Sequence, residues 1–149
     1  MTNIKILGQY IKDLSFEVPN SPEIFLTPQD KPNIEISINI DAKKIAEELF
    51  EITLKICADA SSAKKRSFLC EVSYSGIFSI QEPAEEEDLE RILLIYCPNI
   101  LFPFVRRIIA NNTVDGGFPP LMIDLIDFTD LYEKRRKAVA ATPVNNTKN

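Results

Sequence analysis

Residues 34 to 40 read Ile-Glu-Ile-Ser-Ile-Asn-Ile. This strict period-two alternation places Ile34, Ile36, Ile38 and Ile40 on one face of a half-buried strand and Glu35, Ser37 and Asn39 on the other. Residues 10 to 18 alternate less cleanly, with Tyr10, Leu14, Phe16 and Val18 set against Ile11, Asp13, Ser15 and Glu17. Residues 50 to 58 set Phe50, Ile52, Leu54, Ile56 and Ala58 against Glu51, Thr53, Lys55 and Cys57, and residues 68 to 74 set Phe68, Cys70, Val72 and Tyr74 against Leu69, Glu71 and Ser73. The polar stretch Ala60 to Arg66 between these last two is expected to be a hairpin loop that pairs them antiparallel. The Pro-rich stretch Pro19 to Pro32 is too long for a tight turn and predicts an ordered crossover.

The second half changes period. Carboxylates from Glu82 to Asp88 suit the positive end of a helix dipole and predict a helix start. Ile92 to Val105 then contains no charged residue, and its apolar side chains cover more than one helical face, so the helix should be buried on both sides. At 14 residues, with Pro98, Asn99 and Pro103 inside it, the run reads as too short and broken to span a bilayer. A sheet covers one side of such a helix, and the other side is expected to be covered by a second copy of the chain. Asn111 to Gly117 ends this helix with a glycine pair suited to a left-handed cap. Asp127 to about Ala141 reads as a final helix with Phe128, Leu131 and Tyr132 as its apolar stripe. The pattern gives an α+β fold: four antiparallel strands with helices packed on one face. Residues 1 to 141 form a single domain, and 142 to 149 are expected to be a disordered tail.

Composition narrows the chemistry. The chain has 149 residues, no His and three Cys, so Ser-His and Cys-His nucleophile pairs are excluded along with the commonest metal ligand. Cys57, Cys70 and Cys97 are too few and too far apart for a four-thiolate zinc site, and they suit a reducing compartment. No phosphate-cradling pattern begins at Gly8, Gly76, Gly116 or Gly117. No catalytic residue, metal site or cofactor is assigned. The chain reads as a binding protein, and its N-terminus has no secretory pattern, which predicts a cytoplasmic location. The net charge of −5 conceals residues 1 to 133 carrying 12 bases and 22 acids, followed by a basic end. An acidic body repels phosphate backbones and favours a basic protein partner over nucleic acid.

Two surfaces follow from the strand patterns. With helices over the Ile/Phe face, the opposite face presents Asp13, Glu17, Glu35, Glu51 and Glu71 with little positive charge beyond Lys55, and Leu69 and Ile77 add exposed aliphatics beside Glu71. The second surface is aromatic: Phe25, Phe102, Phe104, Phe118, Phe128 and Tyr132 gather around the sheet's apolar face, where loop-borne rings can line a groove for extended apolar peptide.

Five segments in order carry a family resemblance: Lys12-Asp13-Leu14-Ser15-Phe16-Glu17 with Pro19, Asn20 and Pro22; Phe68-Leu69-Cys70-Glu71-Val72; Gly76-Ile77-Phe78-Ser79-Ile80; Tyr96-Cys97-Pro98-Asn99-Ile100-Leu101-Phe102-Pro103-Phe104; and Gly117-Phe118-Pro119. Over about residues 10 to 133 the chain resembles SecB, the bacterial protein-export chaperone family. The resemblance implies a homotetramer, a dimer of dimers, that holds unfolded precursor proteins without ATP and passes them to the SecA ATPase, with no direct membrane insertion. It implies SecA binding by Asp13, Glu17, Leu69 and Glu71. It also implies a client groove at Ile34, Ile36, Ile38, Phe68, Cys70, Val72, Phe104, Phe128, Leu131 and Tyr132. A SecB-like chaperone dedicated to one partner, such as a toxin-antitoxin pair, is the alternative on the same fold. The chain lacks the Trp that some relatives carry before the second strand, and its tail is basic where theirs is commonly acidic or neutral.

Overall fold

The computed structural model describes residues 2–26, 31–81 and 85–141. Four strands, β1 (Asn3–Glu17), β2 (Asn33–Ala46), β3 (Leu49–Ser62) and β4 (Lys65–Gln81), form one antiparallel sheet in the order β1-β4-β3-β2. A short helix α1 (Glu23–Leu26) lies in the crossover, and α2 (Glu86–Arg91), a π-helical stretch Ile92–Tyr96, α3 (Cys97–Asp115) and α4 (Phe128–Ala141) follow the sheet. The α+β class and the strand-then-helix order match the expectation. The expected tail at 142–149, residues 27–30 of the crossover and Glu82 to Ala84 of the acidic run lie outside the described residues.

The strands are longer than their sequence patterns suggest. Residues 60 to 66 were expected to loop out; instead β3 and β4 run on to a two-residue turn at Ala63 and Lys64, both left-handed at φ 51° and 67°. Positive φ at both positions matches the twist of the flanking strands. The polar residues read as loop are the exposed tip of a long hairpin. A second correction concerns β1. The register steps from Ile11↔Tyr74 to Asp13↔Ser73, leaving Lys12 as the extra residue of a bulge. A bulge reverses the alternation on one side of it, so Tyr10 lies on the outer face and Ile11 on the inner, opposite to the simple period-two reading.

The core forms where the helix layer meets the inner face of β3 and β4. Ile52, Leu54, Ile56, Cys70, Val72 and Phe78 are fully buried there with Cys97, Leu101, Val105 and Ile109 of α3. Close approach depends on Gly76, where a Cβ would stand 2.8 Å from the Phe78 ring and 3.0 Å from Leu101 Cδ2. The helical run Glu86–Asp115 is continuous over 30 residues, so the prolines do not break it; by length and composition it is apolar enough to cross a membrane, a test that a helix packed in a protein core also passes. The tolerance of the prolines has a local reason. Pro98 lies inside this continuous run, just after a π-helical stretch, where the ladder has already left i→i−4 pairing. The π stretch lies just before it, closed by Cys97 N–H donating to Ile92 C=O. Pro103 is on the exposed side, so the Asn99 carbonyl it leaves free faces solvent. Gly117, at φ 94°, ends the helix as expected, with Phe118 N–H donating to Thr113 C=O.

Helix α4 is seated by Phe128 and Tyr132, which are 1% and 3% exposed. Around them runs a polar clamp: Tyr132 Oη donates to Glu90, Arg91 and Arg136 flank the Tyr132 ring at 5.4 and 5.8 Å, and Arg91–Glu133 and Arg136–Glu87 pair at 3.0 and 2.8 Å.

All three thiols are free, and Cys57 and Cys70 lie on opposite faces of the sheet, so they are not placed to bridge. Burial pushes the Cys70 thiol up to about 11 and Cys97 up to about 12, so both remain protonated and unreactive. Alkylation of the native protein at pH 8 should therefore modify Cys57 alone, with all three reacting once the chain is unfolded; mass spectrometry reads the count. Gly76→Ala should cost roughly 1–3 kcal/mol by forcing α3 away from the sheet, seen as a Tm lower by roughly 2–10 °C in calorimetry.

Candidate functional site

The sheet has two faces of different chemistry. On the outer face, alternation brings Asp13 and Glu17 of β1 beside Leu69 and Glu71 of β4: Glu17 pairs directly with Leu69, Ser15 with Glu71, and Asp13 with Ser73. On the other side of β4, Asp59 pairs with Leu69 and Cys57 with Glu71. Leu69 thus sits between two carboxylates. The four residues assigned to SecA docking share one continuous patch.

This face is less uniformly acidic than the simple alternation predicts. The bulge at Lys12 swings its ammonium onto Glu51 at 2.9 Å, and the Tyr10 hydroxyl donates to the same carboxylate. Tyr10 first, then Lys12, hold Glu51 below the usual carboxylate range. A second irregularity, at Ser67, puts Arg66 on the outer face. There its guanidinium grips Asp59 through Nε and Nη2 at 2.9 and 2.8 Å, and Asp59 in turn raises the Arg66 pKa. Lys55 approaches Glu71 at 3.7 Å. Lys12 and Arg66 are the residues sequence reasoning missed, because a bulge leaves no mark in the residue pattern.

On the inner face, Ile34, Ile36, Ile38 and Ile40 form a row along the edge strand β2, opposite Ala60, Ala58, Ile56 and Leu54. Two hollows border the row. One, of about 430 Å³, is lined by Ile34, Phe68, Phe118, Pro119, Pro120 and Leu121. The other, of about 440 Å³, is lined by Ile40, Leu94, Leu131, Tyr132, Arg135 and Val139. Ile34 to Ile40 spans about 20 Å at roughly 3.3 Å per residue. Ile36, between the hollows, is 38% exposed.

Six of the ten groove residues therefore gather at this row: Ile34, Ile36, Ile38, Phe68, Leu131 and Tyr132. The other four do not. Cys70 and Val72 are fully buried beneath the helix layer, and Phe128 is buried edge-on against Phe102, so all three are core. Phe104 lies at the opposite end of the sheet, stacked on Tyr74 at 5.8 Å and bordering a hollow with Gln9, Ile11 and Ile108. Ile40 belonged to the same alternation as its neighbours and was legible. Pro119, Pro120 and Leu121 join the hollow because residues after Gly117 fold back onto Phe68, as the Phe68–Phe118 ring contact at 5.1 Å shows.

A further apolar surface lies along β1 and the helix. Ile6, Leu7, Ile11 and Leu14 are 38–59% exposed, as are Tyr96 and Phe104 at 49% and 45%. No cluster of His, Cys, Asp and Glu suited to a metal ion occurs among the described residues.

A search against protein families matches residues 1–139 to the family described as preprotein translocase subunit SecB. Among curated proteins, the protein-export protein SecB of Parvibaculum lavamentivorans is 45% identical over 145 residues, covering 94% of this chain and 86% of its own. That of Anaplasma marginale is 46% identical over 140 residues, covering 87% and 80%. Among solved structures, a SecB-like chaperone of Mycobacterium tuberculosis, in complex with an antitoxin peptide, superposes with a TM-score of 0.69 at 12% identity, covering 83% of this chain and 90% of that one. The last likeness is one of fold. The family match and the curated relatives, spanning nearly the whole chain, establish that this protein belongs to the SecB family.

Proposed function

We propose that the chain is an ATP-independent holdase of the cytoplasm, which keeps precursor proteins unfolded and delivers them to SecA for export. The observation that carries this reading is the inner-face row on β2 with a hollow at each end, the one beside Phe68 mostly apolar and the one beside Ile40 bordered also by Glu90, Arg135 and Arg136. Such a surface captures extended apolar segments, which only an unfolded chain exposes. The reading requires no catalytic group or cofactor, since capture and release move no proton and break no bond. Several such rows on one assembly bind successive segments of a client, and linkage raises avidity although each contact is modest.

The outer patch supplies the second site. Leu69 between Glu17 and Asp59, with Asp13 and Glu71 beside it, suits a basic segment carrying an apolar residue, and SecA is the partner proposed for it. The two sites lie on opposite faces of one sheet, so client and SecA are held together without competing. The exposed apolar face of Ile6, Ile11, Leu14, Tyr96 and Phe104 is assigned to a second copy, and pairs of such pairs make the tetramer.

Reciprocal variants test the two-site arrangement. Glu71→Lys should weaken SecA binding by about tenfold or more while suppression of precursor aggregation stays near that of the parent protein. Ile36→Lys should do the reverse. Equal loss of both activities in either variant would refute separate sites. Native mass spectrometry should give four copies per particle, and a monodisperse monomer would remove the assembly reading. Chains captured from cells should be many different precursors; one recurrent partner would instead favour a dedicated chaperone.

A further inference from the structure

In helix α4, Phe128, Leu131, Tyr132, Arg135 and Val139 follow one another at spacings of three, one, three and four residues, the pattern of a single helical face. Four of the five are apolar or aromatic. The fifth, Arg135, lines the hollow beside Ile40 together with Leu94, Leu131 and Val139, at a position where the stripe calls for an apolar residue. The other charges around it are engaged. Arg91 pairs with Glu133, Lys134 with Asp130 and Arg136 with Glu87, at 3.0, 3.1 and 2.8 Å, and the Glu90 carboxylate accepts from the Tyr132 hydroxyl. Arg135 has no carboxylate partner among the described residues. On an open helix surface a guanidinium needs none, because water serves it. At the rim of a hollow an occupant displaces part of that water, and a cation left dry and unpaired is costly. Arg135 therefore favours an occupant that brings a carboxylate, whose two oxygens match the guanidinium fork, and penalises one that brings a second cation.

We propose that Arg135 is a specificity-determining residue, which selects client segments carrying Asp or Glu beside their apolar residues. This rests on the holdase reading and adds to it a charge preference that an apolar surface alone does not have. The preference runs against the field of the whole molecule. Residues 1 to 133 carry 12 bases and 22 acids, and at long range such a body attracts basic segments. Salt screens that field over roughly 8 Å at physiological ionic strength, whereas a contact at the rim of the hollow is screened much less. The two act at different stages, the charge of the body on approach and Arg135 on the seated segment.

The test uses the full-length protein at about 0.15 M salt and three fluorescein-labelled peptides that share one core of alternating Leu and Ser, flanked at both ends by Glu, by Gln or by Lys. Arg135→Glu should weaken binding of the Glu-flanked peptide and tighten that of the Lys-flanked one, moving the ratio of their dissociation constants by about tenfold or more, with the Gln-flanked peptide nearly unchanged. Arg135→Gln should move the ratio in the same direction by about threefold. Lys137→Glu makes the same change in net charge at a residue that is not among the described residues lining the hollow, and should leave the ratio within about twofold. An equal shift from Lys137→Glu assigns the preference to net charge and overturns the proposal, as does a ratio that Arg135→Glu leaves unchanged; the holdase reading survives either result. Failure of all three peptides to bind the parent protein overturns that reading as well. Fewer copies per particle for Arg135→Glu in native mass spectrometry without peptide assigns the matching carboxylate to a second copy, and likewise overturns the proposal.

Discussion

One geometric constraint organises the molecule: a single long helix is narrower than a four-stranded sheet. A helix with its side chains is roughly 10–12 Å across, and strands lie about 4.8 Å apart, so α3 can cover two strands. It covers β3 and β4, the central pair, with Gly76 setting the close approach. The inner faces of β1 and β2 are left over. α4 and residues 118–121 reach the ends of β2 and turn its row of isoleucines into a channel between two hollows. Ile6, Ile11 and Leu14 on β1 are only partly covered, and Ile11 borders the hollow it shares with Phe104 and Ile108. The row proposed for clients and the surface proposed for a second copy are thus the two margins that one helix does not fully cover.

The outer face depends on irregular rather than regular pairing. Period-two alternation alone would give a plate of carboxylates whose mutual repulsion has little relief. The extra residues at Lys12 and Ser67 bring Lys12 and Arg66 across to Glu51 and Asp59. Repulsion is relieved around the rim, and Asp13 and Glu17 take part in neither of these pairs. Leu69 is left as an apolar point framed by acid, which gives the face a direction as well as a sign.

Much of this was legible in the chain. Ile34 to Ile40, Phe50 to Ala58 and Phe68 to Tyr74 announce their faces because each strand has one side in the core. The family resemblance adds the pairing of the outer patch with SecA, which no periodicity contains. What could not be read has physical causes. Tyr10 and Ile11 exchange faces because of a bulge whose only sign is the register of the partner strand. Ala60 to Arg66 read as a loop because beyond Ala60, which is itself in the core, the hairpin tip is largely polar on both faces, and Ala63-Lys64 lacks the Asn-Gly chemistry that usually marks a two-residue turn. Pro98 and Pro103 looked like breaks, yet Pro98 follows the π stretch, where the ladder has already left i→i−4 pairing, and Pro103 lies on the exposed side. Cys70, Val72 and Phe128 share type and parity with the residues of the β2 row, and only the position of α3 separates core from row.

The seat of α4 carries a mechanical consequence. Its base is anchored by Phe128 in the core and by the buried ring of Tyr132, whose hydroxyl donates to Glu90, whereas Arg91–Glu133 and Arg136–Glu87 lie in solvent, where counterions compete for them. Beyond them Val139 is 75% exposed. The wall of the hollow beside Ile40 is therefore stiff at its root and increasingly compliant toward its tip. For the proposed clients, a graded wall of this kind would conform to side chains of different bulk by bending at its outer end, with the row on β2 as the fixed reference.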